Sequence, residues 1–364
     1  MKRSVYLFIF VVIIPFLLTS CSAYLLTPET ITYGSWNFYK SRFVKNGRVI
    51  RPENNNDTVS EGQSYVMIRS VLMNDQKIFD NCLAWTEKNL SRKSTHGDAL
   101  LAWHFERGKV SDTTSASDAD IDYAFSLILA YRAWQNDRYL KLANEVLASV
   151  LDRETVSING RLYLLPWPAK NNGEELVAQN PSYYAPSHFR LFYEITGDKR
   201  WLELLDTTYD LIGKLINSPV DIGRPGVVPD WIAIDQKGAI VPLPGKPFVF
   251  GWDAVRVPIR IAADYYLYGD QRALAVLRWF SNFFEQKFKE GAVAVGTREN
   301  YDNALFYSAA YAAAESAQSS ISPDLLQHLR NFICKKGKDV YYSNPDDYYA
   351  NSLSWWPEYY QMKR

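Results

Sequence analysis

The feature that most constrains the fold is a succession of helical segments at hairpin spacing. Apolar residues recur with the 3.6-residue period of an α-helix at 30–43, 78–90, 138–151, 188–196, 271–288, 303–316 and 323–333. The loops between them carry clusters of Glu, Asp and Tyr, and strands are few, although residues 162–168 are apolar, flanked by proline and predicted to be extended. Because an amphipathic helix must bury its apolar stripe against a neighbour, the pattern predicts one all-α domain built as a closed array of helical hairpins.

Composition restricts the chemistry. The chain has 364 residues, with 40 basic and 40 acidic side chains and a formal net charge of zero. This balance gives no support for nucleic-acid binding, which needs a basic surface. The four histidines lack metal-ligand spacing, so we expect neither a metal nor another cofactor, and Cys82 and Cys334 are predicted to be buried thiols. If the chain is an enzyme, carboxylates are the expected catalytic groups.

The N-terminus is predicted to be a targeting segment. Lys2 and Arg3 precede an apolar run at 5–18 that is short for a membrane span, and the run ends in Leu-Thr-Ser before Cys21. This ending resembles a bacterial lipobox, which implies removal of the preceding residues, lipid attachment at Cys21 and a position on the cell envelope outside the cytoplasm. The alternative is an ordinary signal peptide with an incidental cysteine. We therefore divide the chain into a signal peptide at 1–21 and a single catalytic domain with a short tether at 22–364.

Residues 116–124, Ala-Ser-Asp-Ala-Asp-Ile-Asp-Tyr-Ala, carry acidic side chains at alternate positions. One interpretation is a helix start at which Asp118 is the N-cap and the other acids favour the helix dipole. A calcium loop of the EF-hand type does not fit, because Tyr123 occupies the position that needs Gly and Leu129 the position that needs Glu.

A third interpretation rests on resemblance to a known family. Residues 116–134 resemble the signature of glycoside hydrolase family 8, except that Tyr123 stands where the signature prefers Ile or Met. Ser-Glu-Gly-Gln-Ser-Tyr at 60–65 resembles the segment that bears the family's proton donor, although Val66 replaces the usual Gly. An aromatic residue followed by Asp-Ala-x-Arg at 252–256 resembles the segment of the general base and its arginine. The resemblance implies an (α/α)6 barrel that hydrolyses glycosidic bonds with inversion.

The resemblance also implies the catalytic roles. Glu61 would be the general acid, Asp253 the general base, and Asp118 a third carboxylate that binds the distorted sugar. Inverting hydrolysis needs an acid and a base about 6.5–9.5 Å apart, with room for a water molecule. Burial or neighbouring negative charge, part of it from Asp118, would keep the acid protonated, and Arg256 would keep Asp253 ionised and oriented.

Further residues of these and neighbouring segments are candidates for substrate binding. Flat aromatic rings can stack on the apolar faces of sugars, and polar groups can bind their hydroxyls. Trp103 is equally consistent with a stacking platform and with a core residue, and Tyr183 or Tyr184 comes from an Asn-Pro-Ser-Tyr segment that also occurs in the family. The full predicted set is Arg256, Trp103, Tyr65, Gln63, Asp120, Tyr183, Tyr184, Tyr348 and Tyr349.

We therefore predict a monomeric, lipid-anchored endo-β-1,4-glucanase that acts on a cellulose-like β-glucan and resembles the cellulases associated with bacterial cellulose or exopolysaccharide production. An endoxylanase or mixed-linkage glucanase on the same scaffold is one alternative. A polysaccharide-binding lipoprotein without turnover is another, although binding alone does not require an acid–base pair. Asp253 argues against chitosan, because a chitosanase-bearing branch of the family has Asn there. The sequence has no evident basic cluster of the kind that a lyase acting on uronic acids would favour.

Overall fold

The computed structural model describes residues 26–168, 175–217, 228–291 and 303–363. The predicted helices are present in these ranges, with bounds that differ by a few residues. Residues 1–21 and Cys21, with the predicted lipobox, lie outside the described residues. The helices are α1 Pro28–Phe43, α2 Ser60–Leu72, α3 Gln76–Asn89, α4 Lys93–His96, α5 Ser117–Trp134, α6 Asp137–Arg153, α7 Pro186–Thr196, α8 Arg200–Asn217, α9 Arg256–Tyr268, α10 Gln271–Lys289, α11 Ala304–Ser316, α12 Ser322–Asn331, α13 Tyr348–Leu353 and α14 Trp356–Lys363.

The helices form two concentric rings. The inner ring consists of α2, α5, α7, α9, α11 and α13, each in contact with the next, and α13 closes the ring against α2. Around it, α3, α6, α8, α10 and α12 each pack on the inner helix that precedes them, and α1 packs against α13 and α14. The prediction of an all-α (α/α)6 barrel is confirmed.

Short antiparallel strands lie in the connections between the helices. The strands are β1 Val44–Lys45, β2 Arg48–Val49, β3 Thr58–Val59, β4 His104–Glu106, β5 Lys109–Asp112, β6 Thr155–Ile158, β7 Arg161–Leu164, β8 Leu176–Gln179, β9 Ile232–Asp235, β10 Ile240–Val241, β11 Ile333–Lys336 and β12 Asp339–Tyr342. The extended segment predicted at 162–168 coincides with most of β7. One helix boundary was wrong, because Ile333 pairs with Tyr342 in a hairpin instead of continuing α12.

Helices of the inner and the outer ring differ in how much of their surface is buried. The inner helix α11 is buried on every side from Ala304 to Ala314, and its small alanines allow close packing with its neighbours. The outer helix α6 buries a single stripe that includes Leu142, Val146 and Val150. Cys82 is fully buried as predicted, whereas Cys334 on β11 is only half-buried. Within the described ranges, no helix is both long and apolar enough to cross a membrane.

The alanines of α11 provide a test of this packing. We expect Ala310→Leu, at a position with no exposed surface, to lower the free energy of unfolding by about 1–3 kcal/mol through overpacking. Ala275→Leu on α10 is the matched control, because Ala275 is exposed within a helix and should change stability by less than about 0.5 kcal/mol. Urea unfolding of both variants gives the comparison, and equal midpoints would contradict the inner position of α11.

Candidate active site

Three predicted acidic residues lie at one mouth of the barrel. Glu61 belongs to the first turn of α2, Asp118 to the first turn of α5, and Asp253 to the turn directly before α9. Each inner helix from α2 to α11 is followed by an outer helix that returns along it, so these inner helices run in the same direction and their N-termini meet at this end. Val59 precedes helix α2, and Ser60 is its first helical residue.

Arg256, the first residue of α9, joins these elements. Its guanidinium donates hydrogen bonds to Asp118 Oδ2 at 2.5 Å and to Asp253 Oδ1 at 2.8 Å. It also donates to Tyr65 Oη at 3.1 Å and to Ser182 Oγ at 2.9 Å. Because Arg256 and Asp118 are both buried, the charges depend on each other for compensation. The predicted Arg256 partnership with Asp253 is present, and Asp118 is its second acidic partner.

Asp253 is held at both carboxylate oxygens and remains accessible. Arg256 binds Oδ1, and Trp231 Nε1 donates to Oδ2 at 3.0 Å. About a third of the side chain, 32%, is exposed. A carboxylate that is oriented by two donors and still reaches solvent can accept a proton from a water molecule.

Asp230 shapes the turn that carries Asp253. Its Oδ1 accepts three main-chain N–H groups, those of Gly251 at 3.0 Å, Asp253 at 3.2 Å and Ala254 at 2.7 Å. Burial raises the pKa of Asp230 to about 6, and the nearby charge of Asp253 adds to this effect. Asp230 acts on Asp253 through the backbone and is therefore a positioning residue.

Glu61 has the electrostatic character of a general acid. Burial and, after it, the negative charge of Asp118 raise its pKa to about 7 against the opposing effects of Arg256 and Arg51. Ser60 Oγ donates a hydrogen bond to Glu61 Oε2 at 3.2 Å. Glu61 therefore holds its proton well above the pH at which an ordinary glutamic acid loses it.

Aromatic rings line the approach to Asp253. Trp231 lies 5.7 Å from Trp167 and 6.0 Å from Tyr183, measured between ring centroids. Trp167 is 37% exposed, and the guanidinium of Arg256 lies over the ring of Tyr183. Flat rings in a row suit a polymer of pyranose units, because each apolar sugar face can stack on a ring.

Three other predicted aromatic residues lie around the same mouth. Trp103 is half-buried, and its main-chain oxygen accepts the N–H of Ser60 beside Glu61. Tyr349 is half-buried and donates to the main-chain oxygen of Trp252 at 2.9 Å. Tyr348 is buried close to α2, where a Cβ atom on Gly62 would lie only 2.4 Å from Tyr348 Oη. Only glycine allows this approach of the tyrosine to the turn that carries the acid.

The structure contradicts three of the predicted substrate contacts. The amide of Gln63 is buried and binds the main chain of Val49 at 2.6 Å and of Gly47 at 3.0 Å. Asp120 is buried and accepts the N–H of Leu101 at 2.9 Å. Tyr184 is buried, and its hydroxyl accepts the N–H of Leu164 at 3.0 Å. These side chains face the interior and hold loops to helices, so a polysaccharide at the mouth cannot contact them.

A helical barrel with several carboxyl groups and a row of aromatic rings at one mouth is an architecture suited to carbohydrate hydrolysis. The profile of "Glycosyl hydrolases family 8" matches residues 10–363. The chain therefore belongs to glycosyl hydrolase family 8, a family of inverting hydrolases, and the resemblance inferred from the sequence is confirmed.

Individual relatives agree with this assignment. "Endoglucanase A" from Acetivibrio thermocellus is 29% identical over 335 residues, which is 87% of this chain and 66% of the relative, just under two thirds of its length. The structure of the endoglucanase Cel10 from Klebsiella pneumoniae is 25% identical, with a TM-score of 0.71 over 91% of this chain and 99% of that one. The structure of an endo-1,4-D-glucanase from Vibrio fischeri shares the fold, with a TM-score of 0.76, 24% identity and coverage of 90% and 95%.

Sequence reasoning missed four residues of this mouth, Asp230, Trp231, Ser182 and Trp167. Asp230 and Trp231 act on Asp253 and on the turn that carries it from about twenty residues earlier in the chain. Ser182 lies inside the Asn-Pro-Ser-Tyr segment, for which only the tyrosines were predicted to contact the substrate. Trp167 follows a strand and has no local pattern that separates it from a core tryptophan.

Asp230 yields a direct test of positioning. We expect Asp230→Ala to reduce kcat about 100-fold with little change in KM, because three main-chain N–H groups lose their acceptor and Asp253 shifts. Asp235→Ala is the matched control, since Asp235 Oδ1 similarly accepts Lys237 N and Ala239 N in the turn between β9 and β10. Steady-state kinetics on a soluble β-glucan compares them, and equal losses would show that Asp230 has only a general structural role.

Proposed function

We propose that this family 8 hydrolase is an inverting endo-β-1,4-glucanase. Its substrate is a cellulose-like β-glucan, which lies across the barrel mouth against Trp231, Tyr183 and Trp167. An open row of rings on a surface-accessible mouth suits attack within a chain better than attack at its end. The similarity to the endoglucanases of Acetivibrio thermocellus and Klebsiella pneumoniae supports this substrate class.

In the proposed mechanism, one proton is donated and one is accepted on opposite sides of the glycosidic bond. Glu61 donates its proton to the leaving glycosidic oxygen. Asp253 accepts a proton from a water molecule, whose oxygen attacks the anomeric carbon from the opposite face. The sugar hydroxyl product receives the proton of Glu61, and solvent then restores both carboxyl groups. Asp118, held by Arg256, binds the distorted sugar at the point of cleavage.

The observation that carries the proposal is the difference between the two carboxyl groups. Burial and the charge of Asp118 keep Glu61 protonated to about pH 7. Asp253, by contrast, is one-third exposed and accepts hydrogen bonds from Arg256 and Trp231, which orient it while it stays within reach of a water molecule. A buried carboxyl group that keeps its proton and an accessible, oriented carboxyl group at the same mouth are what acid–base hydrolysis needs.

We further propose that the chain is a lipoprotein of the cell envelope, anchored at Cys21, and that it acts on exopolysaccharide outside the cytoplasm. The basic start, the short apolar run and the small residues before Cys21 support this location. Mass spectrometry of the protein from bacterial membranes tests it, because cleavage before Cys21 and a diacylglyceryl addition give a defined N-terminal peptide. An unmodified N-terminus would contradict the anchor.

Viscosity loss and reducing-end release on carboxymethyl cellulose test the activity, with xylan and mixed-linkage glucan in parallel. We expect Glu61→Gln to abolish both signals, because the amide cannot protonate the leaving oxygen. Glu29→Gln is the matched control, since Glu29 is an exposed acid in the first turn of α1 and should retain full activity. Activity only on xylan would replace the substrate class, and binding without turnover on any polymer would refute the hydrolase.

The pH profile tests the role of Glu61. The acid works only while protonated, so kcat/KM should fall on the alkaline side with a midpoint near pH 7. Asp118→Asn removes a negative charge that raises the pKa of Glu61, so the midpoint of the residual activity should move to lower pH. A midpoint that stays in place or moves upward would contradict the coupling between the two groups.

A further inference from the structure

Exposed apolar side chains cluster at one end of the molecule. Among the described residues, five large apolar side chains are exposed, and one of these, Trp167, belongs to the cleft. The other four lie on α1 and at the C-terminus of α9, and their exposed fractions are 47% for Tyr33, 59% for Tyr266, 56% for Leu267 and 38% for Tyr268. Their concentration marks a surface for interaction, since single exposed apolar residues are normally scattered.

Helix α14 connects these residues into one surface. Tyr266 packs edge-on against Tyr360, with ring centroids 5.0 Å apart. Tyr359 is half-buried; burial raises its pKa, and both Tyr266 and Tyr33 lie close enough to add to this effect. We name the surface the aromatic base and define it as Tyr33, Tyr266, Leu267, Tyr268, Tyr359 and Tyr360.

The aromatic base lies at the opposite end of the barrel from the catalytic mouth. Arg256 begins α9 at the mouth, and Tyr266 to Tyr268 end the same helix. Thirteen helical residues place the two ends about 20 Å apart. On α2, Arg69 lies two turns beyond Glu61 and donates to Ser35 Oγ, so the first half of α1 lies at the base end as well.

The base is also the end at which the chain enters the fold. Helix α1 begins at Pro28, seven residues after Cys21. Even at full extension, this connection spans only about 25 Å. A lipid on Cys21 therefore keeps the start of α1, and with it Tyr33, within that distance of the bilayer.

We propose that the aromatic base rests in the interface of the membrane that holds the lipid anchor, so that the barrel stands with its catalytic mouth directed away from the bilayer. The inference depends on the anchor of the proposed function. Tyrosine suits this layer because its ring is apolar and its hydroxyl reaches the wet headgroups. The full chain has a net charge of zero, and cleavage before Cys21 removes Lys2 and Arg3, so the anchored protein has no excess of positive charge. This argues for contact through aromatic rings instead of attraction to anionic lipid. A substrate polymer can then approach the mouth without displacing the enzyme from the membrane.

Spin labels on the full-length protein in phosphatidylcholine vesicles test the orientation. Tyr266→Cys places a label on the base, and Lys109→Cys places a matched label at an exposed site on β5, in the sheet beside Glu61. A Cys334→Ser background removes the half-buried thiol, and buried Cys82 does not react. Electron paramagnetic resonance then measures collisions with oxygen, which dissolves in the bilayer, and with a water-soluble nickel chelate.

We expect the label at 266 to collide mainly with oxygen and the label at 109 mainly with the nickel chelate. The ratio of the oxygen to the nickel collision rate should differ at least threefold between the two sites. Adding Tyr33→Ser and Leu267→Ser should return the label at 266 to nickel access, whereas anionic lipid should change little. Equal nickel access at both sites would overturn the proposal. Shielding of 266 without lipid would also overturn it, because a second copy or another part of the chain would then cover the base.

The lipid anchor and the proposed orientation are refuted by different results. A protein whose mass shows no lipid on Cys21 refutes the anchor. The vesicles are then added to the unanchored protein with Cys21→Ser, which removes the free thiol that would otherwise take a second label. Oxygen access at 266 then still reports whether the aromatic base enters a bilayer. Absence of that access refutes the docking surface independently of the anchor.

Discussion

The catalytic mouth depends on the buried positive charge of Arg256. This guanidinium lies between the carboxylates of Asp118 and Asp253, and breaking the buried pair with Asp118 costs about 3–5 kcal/mol because a charge is left uncompensated. One turn further along the same two helices, Arg260 binds Asp122 at 2.8 Å. Because α7 separates α5 from α9 in the ring, these two ion pairs reach across the barrel interior and fix the helices against each other. The positions of Asp118 and Asp253 therefore follow from the same contacts that hold α5 and α9 together.

Helical periodicity explains why the three alternating aspartates of α5 lie in different environments. Residues four apart share a helix face, so Asp118 and Asp122 both point toward α9, where Arg256 and Arg260 have the same spacing. Asp120 lies between them on the opposite face, and burial together with the charge of Glu154 raises its pKa well above the ordinary value. The three aspartates of one motif thus have three different environments. Asp118 lies at the mouth, Asp122 forms an ion pair between two helices, and Asp120 lies in the interior.

The hairpin pattern and the acidic residues of the mouth could be predicted from sequence, because amphipathic periodicity and family segments are local signals. Glu61, Asp118 and Asp253 were found in this way. Gln63 and Asp120 were misassigned because proximity to a catalytic residue in sequence does not determine which way a side chain faces. Asp230 was missed for the converse reason, since it acts on backbone N–H groups that are distant in sequence and leave no pattern of their own.

The closure of the ring has a consequence for biosynthesis. Helix α13, near the end of the chain, completes the inner ring against α2, and Tyr348 packs over Gly62 in the turn that carries Glu61. These partners are separated by nearly three hundred residues, so their contact forms only after almost the whole chain has been made. The turn that carries Glu61, the proposed proton donor, therefore completes its packing only after nearly the whole chain has left the ribosome.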